Sequence, residues 1–223
     1  MIKSDYTAKM IGQFRKAMVT INELKKENKW EETLSEIDAA FKEIFRLGIS
    51  FFNSFSEENV LDVLTMNGNI EVDRCIITAK LLEEQGIVYE NLNDSNNSFY
   101  SYERSLSFFL EAFLQGRKAD LEEFYADIDV IQEKISDYEL STKIKEKIFE
   151  YNVEKQWYTK AEDMLYEIIS SENVDEKIVK EGVRFYEKLL TKDDEELEQA
   201  DLPREEVEIA LSDLKNKFCM KDN

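Results

Sequence analysis

The 223 residues, 43 % of them hydrophobic, can build a sizeable core, but six glycines and one proline are too few turn formers for a sheet protein, so long helices joined by short polar loops are expected. A formal net charge of −20 argues against nucleic acid and anionic membranes as partners, since both roles need clustered cations, and favours cationic or neutral partners. With no histidine, the chain lacks Ser–His and Cys–His nucleophiles, histidine zinc sites, the E-x-x-H di-iron motif and the commonest general base near neutral pH.

Ser4 or Asp5 can cap a first helix, in which Tyr6, Met10, Phe14, Ala17, Ile21 and Leu24 recur every three or four residues and share one face. The other face carries Lys9, Arg15, Lys16 and Lys25. A basic amphipathic helix can lie on a membrane surface. Here the second helix offers a matching apolar stripe, so the face is read as core-directed. Polar residues interrupt this stretch too often for a signal-peptide core, and no uninterrupted apolar run of the chain exceeds three residues, so nothing is expected to span a bilayer. The second helix is predicted over about 30–47, with Leu34, Ile37, Phe41 and Ile44 inward and Gly48 as a left-handed terminator. Ser56 caps a third, in which Glu57 and Glu58 favour the positive helix end and Val60, Leu61 and Leu64 turn inward. The "NGN" of 67–69 is expected to break it without forming a hairpin, because both flanks read as helical.

A helix from about 71 to at least 85 places Val72, Cys75, Ile76, Ala79 and Leu82 in phase, so Cys75 reads as a small core residue. Cys75 and Cys219 form no C-x-x-C pair, which suits a reducing cytoplasm. Residues 91–98, "NLNDSNNS", are the most loop-like stretch. A helix with Tyr102, Leu106, Phe109 and Phe113 follows and stops near Gly116. Further helices are predicted over 119–135, 141–155, 158–170, 174–190 and 203–218, with a short turn of helix near 194–199. Phe108, Phe109, Phe113, Phe124 and Tyr125 recur at helical spacing and read as core, not as a cofactor box. No glycine-rich phosphate loop occurs.

Even helix lengths invite a test for repeats. Across 82–105 the chain runs Leu82, Gln85–Gly86, Tyr89, Ser98, Tyr102 and Ser105; five of these seven match the size pattern of a tetratricopeptide helix pair, in which small residues let helices approach and aromatics fill the wedge, while Gln85 fails and Leu82 stands where Trp is usual. A weaker copy, Tyr166, Ile169, Ser170, Gly182, Tyr186 and Leu189, lies at 166–189 with Asn173 where Tyr belongs. The two copies are 84 residues apart, not a whole number of 34-residue units, so the repeat is irregular.

"MIKSDYTAKMIGQFRKAM" at the start, "AEDMLYEII" at 161–169, "FYEKLL" at 185–190 and "LPREEVEIALSDL" at 202–214 resemble a family of uncharacterised helical proteins from Gram-positive bacteria. The resemblance spans nearly the whole chain. It implies a helical, tetratricopeptide-like, cytoplasmic bacterial protein, and it implies no activity and no catalytic residues.

The 49 acidic residues require a test for carboxylate metal sites. An EF-hand loop begun at Asp193 fails, with Glu198 in place of the glycine and Arg204 at position twelve. All-α nucleotide pyrophosphatases pair E-E-x-x-E with E-x-x-D around Mg²⁺; "DEELE" at 194–198 and "ENVD" at 172–175 show those spacings in reversed order. A Mg²⁺-dependent hydrolase of that kind is therefore the alternative reading. Glu205 and Glu206 stand in the first turn of the last helix, with Pro203 expected at its first position.

The expectation is a single all-α domain over 1–223: a helical hairpin at about 4–47, a repeat-like region at about 56–190 and a terminal helix-turn-helix at about 193–218. Ten or eleven helices form irregular antiparallel pairs in a tetratricopeptide-like right-handed array with no sheet. A non-enzymatic scaffold or adaptor fits this best, with no cofactor and no metal. Lys80, Glu83, Ile87 and Glu90 would face a groove for a protein or peptide partner. Glu195, Glu196, Glu205 and Glu206 would form an acidic docking face for a basic partner; residues 193–208 carry nine acids against Arg204, while residues 1–29 carry seven cations against three acids. These opposite ends also allow self-association as a homo-oligomer.

Overall fold

Amphipathic periodicity becomes helix almost throughout the computed structural model, which describes residues 2–171 and 174–218. Glu172, Asn173, Cys219 and the side chains of Ser4 and Asp5, all used in the sequence reading, lie outside that description. The described residues hold twelve α-helices, one 3₁₀ turn and one two-stranded hairpin, and the chain divides into two compact units, residues 1–139 and 140–223. The all-α class therefore holds, with the small hairpin as its exception.

In the first unit α1 (Ile2–Lys26) turns back into α2 (Trp30–Phe45) through Asn28, whose φ of 56° lets the chain reverse in three residues. Met10, Phe14, Ala17 and Ile21 are buried as the spacing predicts, while Tyr6 is exposed. The α2 terminator is not Gly48. Arg46 takes the left-handed conformation at φ 63°, and Gly48 is extended at the start of α3 (Ile49–Ser54), a helix the periodicity does not announce. Gly48 is required there for space, because a Cβ would lie 2.9 Å from the Asp38 carboxylate. That carboxylate accepts a bond from the Ile49 N–H at 2.8 Å and so anchors the turn. Phe41 stacks on Phe52 at 4.3 Å and closes this corner.

Ser56 caps α4 (Glu57–Leu64) as expected, accepting from the Asn59 N–H. Asn67-Gly68 then makes the hairpin that the sequence reading set aside. Asn67 and Gly68 both have positive φ, 53° and 75°, the requirement of a type I′ turn. Two-residue strands β1 (Thr65–Met66) and β2 (Asn69–Ile70) pair Thr65 with Ile70 and Met66 with Asn69. The helical pattern of the flanks hid strands of this length.

α5 (Val72–Asn91) is the central helix of this unit, packed on α1, α2, α4 and α6. Residues 75–79 are all buried, so it has no solvent face there, the mark of an interior helix. Cys75 is fully buried, in keeping with its reading as a core residue. The loop expected at 91–98 shrinks to 92–94, because Asp94 caps α6 (Ser95–Leu114) by accepting from the Asn97 N–H at 3.1 Å. α5 and α6 approach closely at small residues. A Cβ on Gly86 would sit 2.9 Å from the Tyr102 ring, Ser98 Oγ donates to the Gly86 carbonyl at 3.0 Å, and Ser105 Oγ donates to the Ala79 carbonyl at 2.7 Å. The helix expected over 119–135 is a 3₁₀ turn (Glu122–Ala126) followed by α7 (Asp127–Lys134). Asp73 holds the preceding loop, accepting from the Asp120 and Leu121 N–H groups at 2.9 and 3.0 Å.

The second unit follows the predicted boundaries within two residues: α8 (Thr142–Glu154), α9 (Tyr158–Ile169), α10 (Glu176–Leu189), α11 (Asp194–Gln199) and α12 (Arg204–Lys217). Its core joins Phe149, Leu165, Ile168, Val179, Phe185, Leu197, Val207 and Leu214. Gly182 admits Leu165 and Leu214 to van der Waals contact with α10. Tyr186 and Leu189 of the weaker repeat copy turn inward, but Tyr166 is 70 % exposed and takes no part in the packing. Pro203 stands one position before the first helical residue of α12, not at it.

Candidate functional site

Beyond its first turn, the charged residues of α5 fall at 80, 83, 84 and 90, and helical geometry sends the first three to one side. Lys80 Nζ lies 2.8 Å from Glu83, 3.5 Å from Glu84 and 3.0 Å from Asp127 at the start of α7, and 5.6 Å from the centre of the Phe124 ring. Lys25, in the last turn of α1, pairs with the other oxygen of Glu84. Two ammonium groups thus tie three carboxylates together, and the cluster joins α1, α5 and α7.

Burial pushes the Glu83 carboxyl up to about 7, with Lys80 opposing the shift. Burial alone would lower Lys80, but Glu83, Glu84 and Asp127 outweigh it and hold the ammonium above the usual lysine range. About two turns on, Glu90 Oε2 accepts from Tyr102 Oη at 2.6 Å and from Lys134 Nζ at 2.8 Å. Those two bonds outweigh desolvation and keep Glu90 below the usual carboxylate range. Burial, and then donation to Glu90, raises Tyr102.

The groove expected from Lys80, Glu83, Ile87 and Glu90 is corrected by this arrangement. Lys80 and Glu83 are spent on one another and on Asp127, Ile87 is half-buried, and Glu90 alone is exposed, already bonded to Tyr102 and Lys134. Lys25, expected on a solvated face, points inward to Glu84. Glu84, Asp127 and Lys134 escaped the sequence reading. Their pairings span 59, 47 and 44 residues, and no local periodicity encodes such distances.

Glu90, Tyr102 and Lys134 also form one wall of a cleft of about 160 Å³, closed by Asn93, Ser95, Ser98, Phe99, Ile135 and Tyr138. Phe99 and Tyr138 stack at 4.4 Å with planes 13° apart, and Tyr100 is 5.5 Å from Phe99.

In the second unit Glu195, Glu196, Glu205 and Glu206 are all exposed, on α11 and α12. Arg204 fixes the two helices. Its guanidinium donates to the Leu190 carbonyl at 2.9 Å and the Lys192 carbonyl at 2.5 Å, satisfying the end of α10, and pairs with Asp194. Asp193 caps α11 by accepting from the Glu196 N–H at 2.8 Å. Asp201 then reverses the chain at φ 53°. The acid-rich segment is thus a tightly bonded helix-turn-helix. Of the alternative metal motif, Asp194 is engaged by Arg204 and Glu172 lies outside the described residues. Among the described residues no three Cys, Asp or Glu side chains gather as a metal ion would need, and no helix is long and apolar enough to cross a membrane.

No curated protein and no solved structure matches the chain at a level that marks a relative. Residues 1–219 match the profile of a family described as a family of unknown function, DUF6483. A match over nearly the whole length places the chain in the DUF6483 family.

Proposed function

We propose that this protein is a non-enzymatic, cytoplasmic interaction module of a bacterium, a scaffold or adaptor built of tetratricopeptide-like helix pairs. The observation that carries the reading is the acidic face of α11 and α12. Glu195, Glu196, Glu205 and Glu206 are exposed on two helices that Arg204 and Asp193 lock in place, so negative charge is displayed on a fixed frame. A basic protein partner matches it, because complementary charge steers encounter and sets register. The buried cluster on α5 supports the same reading from the other side, since its carboxylates and lysines are consumed in holding helices together.

Titrating Mg²⁺ and Mn²⁺ while following thermal unfolding separates this reading from a carboxylate-dependent hydrolase. No saturable rise in Tm is expected; a saturable rise of several degrees would show a bound metal and overturn it.

A further inference from the structure

The row of rings beside Lys134 suggests which chemistry a second surface takes. Lys134 Nζ bonds Glu90 and lies 5.3 Å from the centre of the Tyr102 ring, so a carboxylate and an aromatic face together hold one cation of the chain itself. From that point the aromatic surface continues outward through Phe99, Tyr138 and Tyr100. Tyr138 is 42 % and Tyr100 61 % exposed. Among the described residues the cations that lie over rings are placed on other aromatics, and none lies over these three. Acids stand beside these rings: exposed Asp137 precedes Tyr138 in the chain, exposed Glu90 lines the adjoining cleft, and Asp94 caps the helix that carries Phe99 and Tyr100.

We propose that Tyr100, Phe99 and Tyr138, with the acidic residues around them, form a docking surface for an arginine-bearing segment of a protein partner. Guanidinium groups stack on the exposed rings and pair with the neighbouring carboxylates, as Lys134 does with Tyr102 and Glu90. Arginine fits better than lysine because its planar, weakly hydrated head both stacks and forks. The inference rests on the interaction-module reading but uses a different surface from the α11–α12 face, so the two can fail separately.

The test measures fluorescence anisotropy of a fluorescein-labelled (Arg-Gly)₄ peptide with the full chain, beside its (Gln-Gly)₄ counterpart. Saturable binding of the arginine peptide alone is expected. Tyr100→Ala and Tyr138→Ala should each weaken it about threefold to fivefold, from the loss of one exposed cation–π contact. Tyr100→Ala is solvent-facing, so it reads the surface even if Tyr138→Ala disturbs the stack with Phe99. Absence of saturable binding to the arginine peptide overturns the inference. So does equal binding of the glutamine peptide, or binding that ignores both tyrosine variants. If Glu195, Glu196, Glu205 and Glu206→Gln alone abolishes binding, the docking surface proposed here is wrong while the acidic-face reading stands. A dimer in light scattering that Tyr100→Ala dissociates would show a second copy on the row, and also overturn it.

Discussion

At the scale of single residues, Glu83 and two glycines separate what a side chain costs from what it contributes. Glu83 binds its proton more tightly in the folded chain, about 7 against an ordinary 4.5, so its contribution to stability is present at low pH and is lost as pH rises through 7. Across that window the loss is on the order of 2–3 kcal/mol. Glu83→Gln should flatten the dependence of Tm on pH between 5 and 8 and leave the protein at least as stable at pH 8, because Lys80 keeps Glu84 and Asp127. A variant that melts much lower at pH 8, with the wild-type slope intact, would mean that the Glu83–Lys80 ion pair is itself a main support. Gly86 and Gly12 predict opposite signs for one substitution. Gly86→Ala drives a methyl into the Tyr102 ring, which Glu90 holds in place, and overpacking costs about 1–3 kcal/mol. Gly12→Ala meets nothing within 4 Å in mid-helix and should gain about 1 kcal/mol. Chemical denaturation of the two variants checks both signs.

At the scale of elements, Arg204 joins three helices with one side chain. Arg204→Ala should destabilise the second unit by about 1–3 kcal/mol, the cost of leaving two carbonyls without their charged donor. Arg204→Lys should rescue only part of that, because an ammonium cannot reproduce the fork. Full rescue by lysine in urea unfolding would reduce Arg204 to a simple charge. Legibility divides along the same line. Helices α8 to α12 each bury one stripe, and period alone placed them to within two residues. Where structure depends on backbone conformation, period fails: Asn67-Gly68 makes a hairpin between strands of two residues, and Arg46 takes the left-handed place expected of Gly48. Long-range charge pairing was illegible altogether. Lys80 and Glu83 looked like groove residues because α5 carries them on one side, and only the fold brings Asp127 across to cover them. The four acids of α11 and α12 were legible as exposed because each lies off the stripe of Leu197, Val207 and Leu214.

At the scale of the molecule, each unit has its own core and its own charge chemistry. Residues 1–139 expressed alone should keep helical circular dichroism and melt cooperatively, since the ionic cluster and the α5–α6 packing lie wholly within them. A non-cooperative melt would show that the first unit needs the second. A basic partner is proposed to read the acidic face of the second unit. That proposal is tested most directly by affinity capture from a native bacterial lysate, with the wild type and a Glu195, Glu196, Glu205 and Glu206→Gln variant side by side. Exposed substitutions of this kind should shift stability by no more than about 0.5 kcal/mol each. A basic protein should be retained by the wild type and lost from a fully folded variant. A folded variant that captures the same proteins as the wild type would contradict the proposal.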